Sequence, residues 1–198
     1  GSIYFQDQKI NNKRVDEITK LGLVRTFQNI RLFNNLSVIE NVMVGCHLRL
    51  ESTVLNSVFR FPKYIKEEEK IKNDANALLK ETGLDNTGIS KAGKLPYGEQ
   101  KKLEIARALA TKPRLLLLDE PAAGMNPKET IDLMGFIQEI KRKYGLTIVL
   151  IEHDMKVVMG ICERIIVLNY GKTIAEGNPT EIQHNPEVIE AYLGGIEP

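Results

Sequence analysis

Short apolar runs alternate with segments of helical periodicity through the second half of the chain. Residues 115–118 are four consecutive leucines that predict a strand entering the core, and the nearly continuous apolar run at residues 146–151 predicts a strand buried on both faces of a parallel sheet. Between them, Asn126 and Pro127 begin a helix whose apolar positions follow the i, i+3, i+4, i+7 spacing: Leu133, Phe136, Ile137 and Ile140. This order is typical of an α/β sheet with right-handed crossovers.

The first forty residues indicate the same kind of fold. Ile3 and Phe5 alternate with polar residues as in a strand, and a polar turn follows at residues 11–12. Residues 23–26 then form a second short strand that leads to Gln28. We therefore expect the chain to begin inside a folded domain.

A helical segment occupies the middle of the chain. Ser37 and Glu40 have the S-x-x-E spacing of a capping box, which predicts the start of a helix. Residues 41–86 are helix-like without a convincing strand, and one face of this segment carries Ile65, Ile71, Ala75, Leu78 and Leu79. The charged run at residues 66–70 is typical of a solvated helix face.

The C-terminal part returns to alternating elements. A short helix is predicted over residues 155–161, followed by two strands, at residues 164–169 and 173–177, that form a hairpin. Two small helices follow, the second opening at Asn185. The predicted segments are two parts of an α/β core at residues 1–40 and 95–177, a helical subdomain at 41–94, and C-terminal helices at 178–198.

Composition excludes several classes of protein. The chain has 198 residues, with 27 basic and 26 acidic side chains and a net charge of +1, so no one-signed field favours nucleic acid or an anionic membrane as a partner. No apolar run approaches the roughly 18 residues of a membrane span. Cys46 and Cys162 lack metal-ligand spacing and are expected to be small buried apolar residues in a reducing compartment.

Polar side chains follow the predicted strands where ligands gather in open α/β sheets. Asp119 and Glu120 follow the four leucines, His153 follows the next strand, and Gln28 follows an earlier one. Asp119 is a candidate Mg²⁺ ligand and Glu120 a candidate activator of water, which is the arrangement that nucleotide hydrolysis needs. His153 could donate a hydrogen bond to a terminal phosphate, and the Gln28 amide could contact metal or water. The alternatives are an ordinary strand end and a structural histidine.

A glycine turn precedes another predicted helix. Gly98 lies at the start of a helix with basic residues, where backbone N–H groups and the helix dipole favour phosphate oxygens. An ordinary capped helix explains the same residues equally well.

These motifs together resemble the nucleotide-binding domain of ABC transporters. The resemblance rests on Gln28 and on "LPYGEQ", "LLLLDEP", "AAGMNP" and "LIEHD", in this order and at these separations, and it covers essentially the whole chain. Within that family, "VRTFQNIRLF", "EPAAGMNPKET" and "NPEVIEAYLG" are similar to the ATP-binding subunits of bacterial branched-chain (hydrophobic) amino acid importers. The implied fold is a P-loop NTPase-like ABC ATPase sheet with a helical subdomain.

The resemblance also implies roles for single residues, with ATP and Mg²⁺ as the ligands. Gln28 would contact Mg²⁺ or water and sense the membrane subunit, and Asp119 would position Mg²⁺. Glu120 would be the general base for the attacking water, and His153 would contact the γ-phosphate.

Further implied roles concern the partner subunits. Residues 95–99, with Tyr97, Gly98 and Glu99, would form the signature loop that faces ATP bound to a second ATPase subunit. Asn126 would lie in the loop that crosses this dimer interface. The helical subdomain would dock on a membrane permease, which places the protein in the cytoplasm, peripherally on the inner face of the cell membrane.

The sequence departs from the family pattern in two places. No G-x-x-x-x-G-K-[ST] P-loop is present: residues 88–95 end in Leu instead of a hydroxyl residue, and residues 170–173 fit a hairpin turn. We therefore expect a chain truncated at its N-terminus, without the first strand and P-loop, that alone binds ATP weakly or not at all and does not hydrolyse it. In the signature loop, Pro96 offers neither a hydroxyl nor an N–H group.

Three functions remain open from the sequence. The first is ATP hydrolysis that drives amino acid import through a permease. The second is an ABC-type ATPase without transport work, as in DNA repair or translation, which the absence of long heptad helices and the low net charge disfavour. The third is a permease-docking module without chemistry.

Overall fold

A computed structural model describes residues 1–47 and 62–193 of the chain. The described residues fall into two compact units, one within Gly1–Ile151 and the other within Glu152–Pro198. The division into four segments that the sequence predicts, at residues 1–40, 41–94, 95–177 and 178–198, stays a prediction. None of the helices in these described ranges combines the length and the apolar composition of a membrane span.

The first unit begins with small elements that the sequence analysis resolved only in part. Strands β1 (Tyr4–Phe5) and β2 (Gln8–Lys9) form an antiparallel hairpin, and helix α1 (Val15–Leu21) leads to strand β3 (Leu23–Arg25). The strands β1 and β3 were predicted, whereas β2 and α1 were not. Helix α1 buries no residue, so it offers no apolar stripe. Its signals are two acidic residues in its first turn and a left-handed glycine at its end.

A parallel sheet of order β3-β4-β5 forms the centre of the first unit. Strands β4 (Leu115–Asp119) and β5 (Thr147–Ile151) match the two predicted apolar runs, and Leu116 and Leu118 of β4 are buried. The prediction that β5 is buried on both faces is wrong for the described chain. Alternate residues of β5 are exposed, with Ile151 at 57% exposure, because side chains alternate between the two faces of a strand and one face of β5 is left uncovered in the described chain.

The four longer helices of the first unit follow the sequence patterning. They are α2 (Val38–Cys46), α3 (Pro62–Glu81), α4 (Tyr97–Ala110) and α5 (Pro127–Tyr144). The predicted capping box starts α2, and the predicted apolar stripe of α5 is buried. Helices α2, α3 and α4 share a core that includes Val42, Leu79 and Leu103.

The predicted apolar face of α3 holds over most of its length. Ile71, Ala75 and Leu79 are buried and Leu78 packs against them, but Ile65 is 52% exposed, so the buried part of this face does not extend to Ile65. The charged run is mostly solvated. The part of the helical prediction that falls on residues 48–61 lies outside the described residues.

Tyr144, the last residue of α5, contacts the last residue of α3. Its hydroxyl donates a hydrogen bond to the carboxylate of Glu81, and Lys143 Nζ lies 3.2 Å from the same carboxylate. The bond from Tyr144 lowers the pKa of Glu81, and burial raises the pKa of Tyr144. The ionised form of Glu81 is thus favoured in the folded state.

Replacing Tyr144 by Phe is expected to destabilise the fold by about 1 kcal/mol near neutral pH, because it removes one hydrogen bond to a carboxylate. A lowered pKa contributes stability above the unfolded pKa, which is lost as the pH falls through the folded value. The difference between wild type and Tyr144→Phe should therefore shrink in acid. Urea unfolding on both sides of the ordinary glutamate pKa, about 4.3, measures this. Tyr170→Phe is the control, since Tyr170 is fully exposed; an undiminished difference in acid would contradict the linkage.

The second unit matches its sequence pattern closely. Helix α6 (Met155–Ile161) precedes the antiparallel hairpin of β6 (Ile165–Asn169) and β7 (Lys172–Gly177), whose turn contains the predicted "YGK". The helices α7 (Pro179–Gln183) and α8 (Pro186–Val188) follow, with a final π-helical turn at Ile189–Leu193. Of the two cysteines, Cys46 is buried as expected, whereas Cys162 is only half-buried.

Candidate functional site

The carboxyl ends of β3 and β4 bring three predicted site residues together. Arg25 pairs with Leu117 in parallel register, and the Thr26 N–H donates to the Leu117 carbonyl at 2.9 Å, which continues the pairing beyond β3. Gln28 therefore emerges beside the end of β4. Its Nε2 donates to Glu120 Oε2 at 2.6 Å.

Asp119 has a partner that the sequence analysis missed. Arg25 Nη2 lies 2.6 Å from Asp119 Oδ2, and the Asp119 side chain is 19% exposed. The Arg25 guanidinium also lies 5.4 Å from the centre of the Phe27 ring. Each of the two adjacent carboxylates thus contacts a side chain from the segment that includes and follows β3. The available signal was a basic residue three positions before Gln28.

Glu120 leaves the strand in an uncommon backbone conformation. Its φ is +42°, in the left-handed region that residues other than glycine rarely adopt. Its N–H donates to the Ile151 carbonyl of β5 at 2.9 Å, so the turn is anchored to the neighbouring strand. Strain of this kind costs about 1–3 kcal/mol and clusters at functional sites. The turn takes the Glu120 side chain out of the strand alternation and toward Gln28.

The residues present fit a magnesium ion. Asp119 and Glu120 are carboxylates and Gln28 is an amide, and such oxygen donors are the ligands that Mg²⁺ prefers. The guanidinium of Arg25 at Asp119 is direct evidence that this carboxylate accepts a cationic neighbour. Groups of three or more metal-ligating His, Cys, Asp and Glu side chains are absent from the described part of the chain. A metal held here would therefore need further oxygens, such as those of phosphate and water.

The predicted signature loop meets the first turn of α4. The helix begins at Tyr97, one residue before the predicted start, and Pro96 precedes it without a side-chain cap. The Tyr97 hydroxyl donates to the Ala123 carbonyl at 3.1 Å, which connects this loop to the segment after Glu120. Burial raises the pKa of Tyr97, with a further contribution from the charge of Glu104.

The other two predicted residues of this loop have different surroundings. A Cβ on Gly98 would lie 3.6 Å from the Glu129 carboxylate of α5. Glu99 has one carboxylate oxygen that is buried without a hydrogen-bond partner among the described residues. Such an oxygen is costly to leave unpaired, which marks Glu99 as a residue that gains from a further ligand or partner.

Two further predicted residues have local partners of their own. Asn126 caps α5, where its Oδ1 accepts hydrogen bonds from the N–H groups of Lys128 and Glu129, each at 3.0 Å. His153 belongs to the second unit. Its side chain is 70% exposed, and its Nδ1 lies 3.9 Å from the Glu152 carboxylate.

Two buried charges on α4 lie beneath the segment that carries Gln28, and the sequence analysis did not single them out. Lys101 is 2% exposed and its Nζ lies 2.7 Å from the Gln28 carbonyl oxygen. Glu104 is 3% exposed and accepts a hydrogen bond from the Arg31 N–H at 3.3 Å. Burial raises the pKa of Glu104, and the Arg31 bond and the Lys101 charge oppose this shift. The missed signal was the i, i+3 spacing of these charges within an otherwise apolar helix face.

Comparison with models of protein families shows which family this chain belongs to. A family model described as "ABC transporter" matches residues 1–123. The chain belongs to the ABC transporter family. A second model, described as "Branched-chain amino acid ATP-binding cassette transporter", matches residues 172–197. The resemblance stated from the sequence motifs is therefore confirmed.

Individual relatives agree with the family models. The chain is 43% identical over 194 residues to the high-affinity branched-chain amino acid transport ATP-binding protein BraF of Pseudomonas aeruginosa, a match that covers 98% of this chain and 76% of BraF. Identity and coverage are the same for the LivG protein of Escherichia coli K12. A probable LivG of Methanocaldococcus jannaschii is 35% identical, with 98% and 76% of the two chains covered.

Solved structures of ABC cassettes share the fold. A crystal structure of the ADP conformation of an ATP-binding cassette of an ABC transporter has a TM-score of 0.79 at 34% identity, covering 98% of this chain and 77% of that chain. A nucleotide-free cassette has a TM-score of 0.78 at the same identity, with 98% and 78% covered. The predicted fold class, a P-loop NTPase-like ABC ATPase sheet with helices, is confirmed.

Proposed function

We propose that this chain is the ATP-hydrolysing part of an importer for branched-chain or other hydrophobic amino acids. The observation that carries the proposal is the 2.6 Å contact of Gln28 with Glu120, next to Asp119, at the ends of two adjacent parallel strands. The names of BraF and LivG support the substrate class.

In this proposal, Glu120 is the general base. Its carboxylate accepts a proton from the attacking water, and Gln28 holds that carboxylate through its amide N–H. The turn at Glu120 aims the side chain before substrate binds, which lowers the cost of positioning. His153 donates a hydrogen bond to the γ-phosphate.

Mg²⁺ would be held by Asp119, with Gln28 contributing its amide oxygen directly or through water. When bound, the ion neutralises charge on the phosphate oxygens. To hold the metal, Asp119 would have to release Arg25, whose guanidinium would then remain a cation at the edge of the site.

A second ATPase subunit completes the nucleotide site in this proposal. Tyr97, Gly98 and Glu99 face ATP bound to that subunit, and the buried unpaired oxygen of Glu99 supports a missing polar partner there. Asn126 lies at the same dimer interface. Residues 41–94 dock on the permease, and the protein resides on the cytoplasmic face of the membrane.

Replacing Asp119 by Asn tests the metal assignment. In the full gene product assembled with its permease, we expect the Mg²⁺ concentration for half-maximal ATP hydrolysis to rise about tenfold or more, by analogy with the loss of a supporting metal contact. Asp132→Asn, on the exposed face of α5, is the matched control and should leave this concentration unchanged. An unchanged Mg²⁺ dependence in Asp119→Asn would remove Asp119 from the metal site.

A further inference from the structure

Lys101 lies where three segments of the site meet. Its Nζ lies 2.7 Å from the Gln28 carbonyl and 6.0 Å from the centre of the Tyr97 ring. Tyr97 in turn donates to the Ala123 carbonyl, three residues after Glu120. Gln28 Nε2 donates to Glu120, so Lys101 is connected to the Gln28–Glu120 pair both directly, through Gln28, and indirectly, through Tyr97 and Ala123.

We propose that Lys101 is a positioning residue that fixes the Gln28 backbone and thereby holds the Gln28 amide against Glu120. The proposal rests on the proposed function for its effect on catalysis, but its structural part stands on the contacts themselves. Lys101 acts through Gln28 and does not contact the reacting atoms.

Burial gives this contact its specificity. A lysine that is 98% covered loses its water and keeps its charge only where acceptors replace that water. The Gln28 carbonyl is one acceptor, and the charge of Glu104, one turn along α4, compensates for the ammonium. An apolar residue of the same length would fill the space but could not donate a hydrogen bond to the Gln28 carbonyl. The buried charge of Lys101 is therefore explained by this bond and not by packing.

Glu104 holds the same segment from the other side. It accepts from the Arg31 N–H, and a backbone hydrogen bond from Phe27 also lowers its pKa. The pair therefore binds one carbonyl and two N–H groups within residues 27–31. The flanking amides have other partners, because Thr26 donates to Leu117 and Phe33 donates to Asn41.

Hydrogen exchange of this chain tests the positioning directly. In Lys101→Met, the amide hydrogens of residues 27–31 should exchange at least about tenfold faster, because the segment opens more often once the bond to the Gln28 carbonyl is lost. The amides of Thr26 and Phe33 should keep their rates. Lys102→Met is the matched control, since Lys102 is the neighbouring lysine and lies over the Phe136 ring instead. Lys101→Arg should restore slow exchange.

A second comparison covers the case in which Lys101→Met does not fold. The double variant Lys101→Met with Glu104→Gln removes both buried charges, and it is compared with Glu104→Gln alone. Faster exchange at Gln28 and its neighbours in the double variant supports the proposal. The proposal is overturned if the exchange rates of these amides are the same in Lys101→Met as in wild type or, where only the double variant folds, the same in it as in Glu104→Gln.

The kinetic part uses the full gene product assembled with its permease. Lys101→Met should lower kcat about tenfold to hundredfold, the cost of misplacing a catalytic group, with KM for ATP within about threefold of wild type. An unchanged kcat in a variant with faster exchange would overturn the link to catalysis. If the wild-type assembly hydrolyses no ATP, the proposed function fails, while hydrogen exchange still decides the role of Lys101.

Discussion

Glu120→Gln is expected to lower ATP hydrolysis by the assembled full gene product about 10²- to 10⁴-fold, the usual contribution of a general base. The amide keeps the size and shape of the side chain but accepts a proton far more weakly than a carboxylate. Binding of Mg-ATP should remain, because Asp119 and the phosphate contacts are unchanged. Single-turnover hydrolysis together with equilibrium ATP binding separates the two effects.

Glu139→Gln is the matched control for Glu120→Gln. Glu139 lies on the exposed face of α5, so its replacement changes one charge without altering the site. Hydrolysis should stay at the wild-type rate. If Glu120→Gln retained more than about a tenth of wild-type hydrolysis, the base would have to be another group, since loss of the base is expected to cost at least about a hundredfold.

Gly45→Ala adds only one methyl group but should lower the free energy of unfolding. Helix α2 packs so closely on α4 that a Cβ at Gly45 would lie 2.3 Å from the Arg107 carbonyl oxygen and 2.9 Å from the Ala110 Cβ. Backbone cannot move aside as a flexible side chain can, so the two helices must separate. We expect a loss of about 1–3 kcal/mol, measured as the free energy of unfolding in urea.

Gly135→Ala provides the opposite expectation with the same chemical change. Nothing lies within 4 Å of a Cβ at Gly135, which occupies an exposed position in the middle of α5. Alanine should therefore stabilise the protein by about 0.5–1 kcal/mol through helix propensity alone. If both variants shifted stability in the same direction, the close approach of α2 and α4 would be wrong.

Elements with strong local signals could be predicted from the sequence. The leucines of β4 form a short apolar run, whereas the stripe of α5 and the "YGK" hairpin combine a period with a cap or turn residue. Helix α1 carries no buried residue, so it had no period to detect. The exposure of β5 depends on which elements cover each face of the strand, which an apolar run alone does not reveal.

The site divides in the same way. Gln28, Asp119 and Glu120 stand at strand ends, and parallel strands bring such ends to one edge of a sheet. Arg25 and Lys101 acquire their roles from contacts with residues more than seventy positions away, Asp119 and Gln28. A charged residue has the same local sequence pattern whether its side chain meets water or a distant polar group, so only the folded structure distinguishes the two.

The central claim is tested most directly by uptake of labelled leucine into membrane vesicles. The vesicles contain the full gene product with its permease, and ATP is supplied on a chosen side of the membrane. Wild-type protein should accumulate leucine only when ATP is supplied on its own side of the membrane, and Glu120→Gln should abolish accumulation while Glu139→Gln preserves it. Accumulation by Glu120→Gln at the wild-type rate, or wild-type accumulation that does not depend on ATP, would contradict the account.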